Sequence, residues 1–143
     1  MPAAPVPASL HPLLAQPNPA VLASVRADGT PHTVATWYAW EDGGVLLSMD
    51  HTRLRIRFLG RNPAVALTVL DRDDWYRHVS LIGEVTGMGP DEGLRVIDRL
   101  ARHYTGAPYP DRDSARVIAR IRVDRWHGWD ATGAIGTHAD IRG

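Results

Sequence analysis

Four arginines, Arg53, Arg55, Arg57 and Arg61, fall within nine residues of a chain whose 16 basic and 16 acidic residues cancel. Arginine presents a planar fork of donors that grips phosphate or carboxylate in bidentate fashion. Only Asp50 stands near these four in sequence as a counter-charge. One reading of the cluster is a phosphate anchor. If residues 52–61 are helical, Thr52 as a cap and the first free N–H groups add a second attraction for an anion. The other reading is a solvated face carrying surface ion pairs. The residues alone leave both open.

Aromatic residues are the second feature. Trp37 and Trp40 flank Tyr38, Trp75 precedes Tyr76, and Trp126 and Trp129 complete the five tryptophans. Such side chains either stack on a planar cofactor or pack in a core or subunit interface. Other chemistries find little support. The seven histidines hold no i,i+2 or i,i+4 pair and no H-E-x-x-H, so no metal site is expected. No serine sits in G-x-S-x-G, the three glutamates form no catalytic pair, and there is neither cysteine nor lysine. A chain without acid–base or nucleophilic candidates suits a protein whose cofactor carries the chemistry.

These residues must be placed by the elements around them. A chain of 143 residues has the size of one domain, and residues 1–143 are read as one. A neutral balance argues against nucleic acid as a partner. No apolar run is long enough to span a membrane, and MPAAPVPASL makes a poor signal peptide, so the cytoplasm is the expected location. Residues 1–8 read as a loose arm and 9–16 as a short helix that Pro17 and Pro19 end. Strand patterns cover 20–26, 31–40 and 45–49. The turns Asp28-Gly29 and Asp42-Gly43-Gly44 join them, which predicts an antiparallel meander. Residues 52–62 alternate like a strand but are bounded like a helix, and periodicity does not decide. Strands follow at 64–70 and 75–88, with Gly83 as a bend or bulge. A helix is predicted over 90–104, with Leu94, Ile97, Leu100, Ala101 and Tyr104 on one face. A last strand spans 115–126, and 131–143 reads as a tail. The pattern is barrel-like or α+β, mostly antiparallel, and lacks the alternation of a dinucleotide fold.

The order of these pieces resembles the split β-barrel flavin and deazaflavin oxidoreductases, the superfamily of pyridoxamine 5′-phosphate oxidase. Leu22 to His32 is similar to that family's first strand, D-G-x-P-H turn and second strand. Thr52 to Leu67 resembles its basic helix, Asn-Pro and following strand, and Val79 to Val85 its strand with a central glycine. The likeness runs over about residues 10–126. It implies a mainly β fold: a split β-barrel of six or more mostly antiparallel strands with two or three short helices. It also makes 52–61 helical.

In that family the basic residues opening this helix bind the cofactor phosphate. The resemblance therefore assigns that role to Arg53 and Arg55, then Arg57, with Thr52 beside them. It sets Ser48, Met49 and Asp50 next to the cofactor at the end of the preceding strand. It further implies a homodimer with cofactor sites at the subunit interface, to which residues 75–78 of a partner chain would contribute. The sequence departs from relatives at Arg55, where they often carry lysine, and at Phe58, where they often carry asparagine. The C-terminal arginine and histidine pattern of the vitamin B6 enzymes is missing. The likeness leans to the branch using coenzyme F420, which passes hydride to a small conjugated or heterocyclic organic substrate. The alternatives are an FMN-binding oxidase or flavin reductase, or a non-catalytic protein binding flavin, deazaflavin or haem.

Overall fold

Asp28 and Gly29 reverse the chain as their types predict. Gly29 takes φ 86°, and the Asp28 carboxylate accepts from the Thr30 N–H and hydroxyl at 3.0 and 2.7 Å. The hairpin pairs β1 (Ala20–Val25) with β2 (Pro31–Thr36), from Ala20 opposite Thr36 to Val25 opposite Pro31. A computed structural model describes residues 1–130 and the backbone of 133–134. The expected tail over 131–143 otherwise lies outside the described residues.

The predicted strand 31–40 is in fact two. It breaks at Trp37 and Tyr38 before β3 (Ala39–Glu41), which pairs only with β4 (Gly44–Asp50). The cause is Tyr38. Its ring is buried, its hydroxyl donates to Leu14 O at 2.6 Å, and its N–H donates to the Tyr104 hydroxyl at 3.4 Å. A residue committed inward on both its side chain and its N–H cannot hold a strand ladder. The expected meander is thereby corrected. The sheet order is β2-β1-β5-β6-β7-β4-β3, so the two halves of the broken strand end at opposite edges.

The remaining elements are α1 (His11–Ala15), α2 (Arg55–Arg61), β5 (Ala64–Leu70), β6 (His78–Pro90), α3 (Arg95–Thr105), β7 (Arg116–Asp130) and β8 (Gly133–Ala134). Among the described residues every strand pairing is antiparallel, and the eight strands belong to one sheet. Residues 55–61 are helical, as the resemblance implied and periodicity could not decide. Alternation along β4 sends Val45, Leu47 and Met49 into the main core with Leu22, Leu67, Val69, Val79, Leu81 and Ile121. Each such side chain adds roughly 1.5–3 kcal/mol by leaving water.

Gly83 is where β6 kinks against β7: the register shifts between Ile82 and Gly83. A Cβ there would lie 1.8 Å from Arg122 O, so only glycine allows the strands this close.

Three boundaries differ from expectation. The strand predicted from Trp75 starts at His78, because residues 71–77 form a loop closed by Asp71 N–H to Arg77 O at 2.8 Å. The helix predicted from Pro90 starts at Arg95. Pro90 still pairs with Val117, and Asp91 caps the helix instead, accepting from Val96 N–H and Ile97 N–H at 3.0 and 2.9 Å. The arm is not loose throughout: Ala4 N–H donates to Asp124 O at 2.9 Å, Trp126 N–H donates to Pro2 O at 3.1 Å, and Val6 is buried.

Candidate functional site

A cleft of about 630 Å³ opens between β2, β4, α3 and the start of β7. Its walls come from distant parts of the chain, and alternation within strands decides which residues face it. On β4, Ser48 and Asp50 line the cleft, while Met49 between them is fully buried in the core on the opposite face. Met49 was expected beside the cofactor with its neighbours; its side chain turns away from the cleft, which leaves its main chain on the strand that lines it.

One end of the cleft is cationic. Asp50 shapes the approach to α2: its Oδ1 accepts from the Thr52 N–H at 2.9 Å and hydroxyl at 2.6 Å, and its carbonyl accepts from Arg53 N–H at 3.1 Å. The Thr52 bonds hold the Asp50 carboxyl below the usual range, and His51 and Arg116 add to this. Thr52 is thus bound to Asp50 and does not cap the helix, whose capping position is Leu54 with no side-chain bond. Thr52 is not a lining residue of the cleft. The turn brings Arg53 and Arg55 to the cleft and leaves Arg57 exposed outside it. Of the seven residues expected at the site, the fold brings four to the cleft: Ser48, Asp50, Arg53 and Arg55.

Sequence reasoning missed Arg116. It opens β7 directly opposite Asp50 in the β4 register, and its Nε donates to Ser48 Oγ at 2.9 Å. Its guanidinium carbon sits 4.8 Å from the Tyr109 ring centroid, a cation–π distance. Arg116 continues the polar row of its strand, so alternation alone marks it as solvated. Only the pairing of β7 with β4 reveals its place.

Arg53, Arg55 and Arg116 therefore converge, and none forms an ion pair with a described carboxylate. Arg55 is partly buried, and its Nε is shut from solvent with no hydrogen-bond partner. Burial first, then Arg53 and Arg116, push its pKa down. An N–H without an acceptor can be satisfied by an anion that enters the cleft.

Another part of the wall is aromatic and meets the cationic part at Tyr109. Trp37 stacks on Tyr104 with centroids 5.1 Å apart and planes 12° apart, and Tyr109 meets Trp37 edge-on at 6.3 Å. The Tyr104 hydroxyl donates to Asn18 O at 2.7 Å, and burial pushes its pKa up to about 12. That proton is committed to holding the wall in place. The donor set and the ring-lined wall together fit a planar group that carries a phosphate. Among the described residues, no three histidine or carboxylate side chains gather into a metal site.

Comparison with known proteins bears on the family and the fold. No curated protein matches the chain. Among solved structures, one named F420 reductase is 34% identical, covering 85% of this chain and 98% of its own, with TM-score 0.76. The conserved hypothetical protein Rv2991 of Mycobacterium tuberculosis is 27% identical over 90% of this chain and 86% of its own, with TM-score 0.66. HupZ of Group A Streptococcus, at 16% identity, covers 92% of this chain and all of its own with TM-score 0.64, and shares the fold alone. Residues 6–130 match the family described as pyridoxamine 5′-phosphate oxidase. With that match spanning almost all the described residues, and with the antiparallel split barrel that carries it, the chain belongs to the pyridoxamine 5′-phosphate oxidase family.

Proposed function

We propose that this protein is an F420-dependent oxidoreductase, passing hydride between a deazaflavin in the cleft and a small conjugated or heterocyclic organic substrate. The observation that carries the reading is the cleft itself. It is lined both by the guanidiniums of Arg53 and Arg55, which pair with no described carboxylate, and by the Trp37–Tyr104 stack. The 34% identity with an F420 reductase supports this cofactor over other flavins. In this reading Arg53 and Arg55 hold the phosphate, and the aromatic wall orients the ring and excludes water. When bound, the deazaflavin supplies the hydride chemistry.

The working unit we propose is a homodimer. Trp75 and Tyr76 stack at 4.4 Å between centroids yet stand 63% and 58% exposed, and Leu54 beside the arginines is 62% exposed. Large apolar groups left open in this way mark contact surfaces. Sedimentation of the purified protein reads this directly, and a monomer at micromolar concentration overturns it.

The experiment for the cofactor is a paired fluorescence titration of cofactor-stripped protein with F420 and with FMN. Tighter F420 binding, followed by turnover with a conjugated acceptor, supports the reading. Tighter FMN binding replaces it with a flavin oxidase or reductase. If neither binds, the arginines are a solvated face and the reading fails.

A further inference from the structure

Counting charge at the cationic end leads beyond the two arginines of the helix. The ionised side chains that line the cleft are Arg53, Arg55, Arg116 and Asp50, which leaves a surplus of two positive charges. Asp50 feels the charge of Arg116 but makes no ion pair with it, and its Oδ1 accepts from Thr52. Arg116 is also oriented in a way that a solvated arginine is not. Its Nε is committed to Ser48 Oγ at 2.9 Å, and its plane is held against Tyr109. Ser48 is itself buried, so the bond fixes one edge of the guanidinium to a rigid strand. One terminal nitrogen, NH1, lies 3.5 Å from the Tyr109 hydroxyl, at the limit of a hydrogen bond. The fork is thus aimed but not satisfied.

We propose that Arg116 is a third arginine of the anion seat, aimed by Ser48 as a positioning residue, and that it makes the seat prefer a doubly charged group over a singly charged one. The inference rests on the reading above that the cleft binds a phosphate-bearing ring. Its chemistry is shared by a phosphate monoester and by a phosphodiester with a carboxylate beside it. Arg53 and Arg116 both act on Arg55, whose buried Nε has no acceptor among the described residues. A single negative charge would leave the seat positive, and a double charge would balance it.

The test uses three probes that share one ring and ribityl chain: riboflavin without a phosphate, the methyl ester of FMN with a singly charged one, and FMN with a phosphate monoester. F420 and its phosphate-free deazaflavin core form the parallel pair. Affinities are measured for the full-length protein and for Arg116→Gln, Arg116→Lys and Ser48→Ala. In the wild type, affinity rises from riboflavin to the methyl ester to FMN. In Arg116→Gln, FMN and F420 weaken about tenfold or more, the expected loss of one charged hydrogen bond. The phosphate-free probes stay within about twofold. The preference of FMN over its methyl ester collapses, Arg116→Lys restores part of it, and Ser48→Ala falls between.

If Arg116→Gln weakens charged and uncharged probes equally, Arg116 only holds the cleft together and the proposal is overturned while the cofactor reading stands. An unchanged preference in Arg116→Gln, with Arg53→Ala and Arg55→Ala both weakening FMN or F420, has the same meaning. If the wild type binds phosphate-free probes as tightly as charged ones, or binds none, the cofactor reading fails and takes this proposal with it.

Discussion

Replacing Arg55 by methionine separates what the fold needs from what the site needs. Arg55 is partly buried, its Nε is shut from solvent without an acceptor among the described residues, and burial first, then Arg53 and Arg116, depress its pKa. A buried N–H left without a partner costs about 1–3 kcal/mol. Methionine keeps an unbranched apolar chain of similar reach and removes both the orphan donor and the charge. Some aliphatic packing of the arginine is lost, so the expected net gain is about 1 kcal/mol in the ligand-free protein. For a chain of this length that is a rise of roughly 3–4 °C in melting temperature. Binding moves the other way. Loss of a charged donor weakens F420 or FMN about tenfold to a hundredfold, and the stabilisation by saturating ligand shrinks accordingly. Calorimetric melts with and without ligand, together with fluorescence titration, read both numbers. A fall in the ligand-free melting temperature would show that Arg55 carries a structural bond, and the reasoning above would be wrong.

Three further perturbations test how the site is held. Asp91→Ala removes the acceptor of two N–H groups at the start of α3 and is expected to lose about 1–2 kcal/mol. Because Ile97, Leu100 and Tyr104 line the cleft, cofactor affinity should fall with it, and an unchanged thermal melt would refute the capping role. Gly83→Ala places a methyl group 1.8 Å from Arg122 O and should lose at least about 1–3 kcal/mol or fail to yield soluble protein. A wild-type melt for this variant would contradict the bulge geometry. Tyr38→Phe loses the bond to Leu14 O, about 1 kcal/mol. It also changes the alkaline limb. Burial raises the Tyr38 pKa above the ordinary phenol value of about 10. Above that pH the unfolded chain gives up its proton while the folded one keeps it, so stability falls as pH rises. The phenylalanine variant should lose less stability between pH 9 and pH 11, measured as urea midpoints, and parallel losses would refute the assignment.

What could be read in the residues was local, and what could not was long-range. The Asp28-Gly29 turn, the apolar run of β5 and the bulge at Gly83 each follow from side-chain chemistry within a few residues. Arg53-Leu54-Arg55-Ile56-Arg57 alternates like a strand, and its helix was legible only through family likeness. The break at Tyr38 was hidden, because the groups that draw it inward, Leu14 O and the Tyr104 hydroxyl, lie 24 and 66 residues away. Arg116 was hidden for the same reason: its bond to Ser48 spans 68 residues. Alternation says which face of a strand a residue takes, and pairing says what that face meets.

Place in the fold, then, rather than abundance separates the arginines that line the cleft from those that stand outside it. Elsewhere in this neutral chain the cations are matched where they meet acids: Arg99 and Arg120 share Glu41, Arg112 holds Asp98, and Arg122 lies between Glu84 and Asp124. Arg57 and Arg61 are exposed, and water solvates them at little cost, so their lack of a partner carries no message. Arg55 has an N–H that water cannot reach, and its nearest charged neighbours repel it. A solvated basic face has no reason to bury the Nε of one of its guanidiniums near two others. A seat that is completed by an anion from outside has that reason, and the cleft leads the anion's aromatic partner to the Trp37–Tyr104 wall.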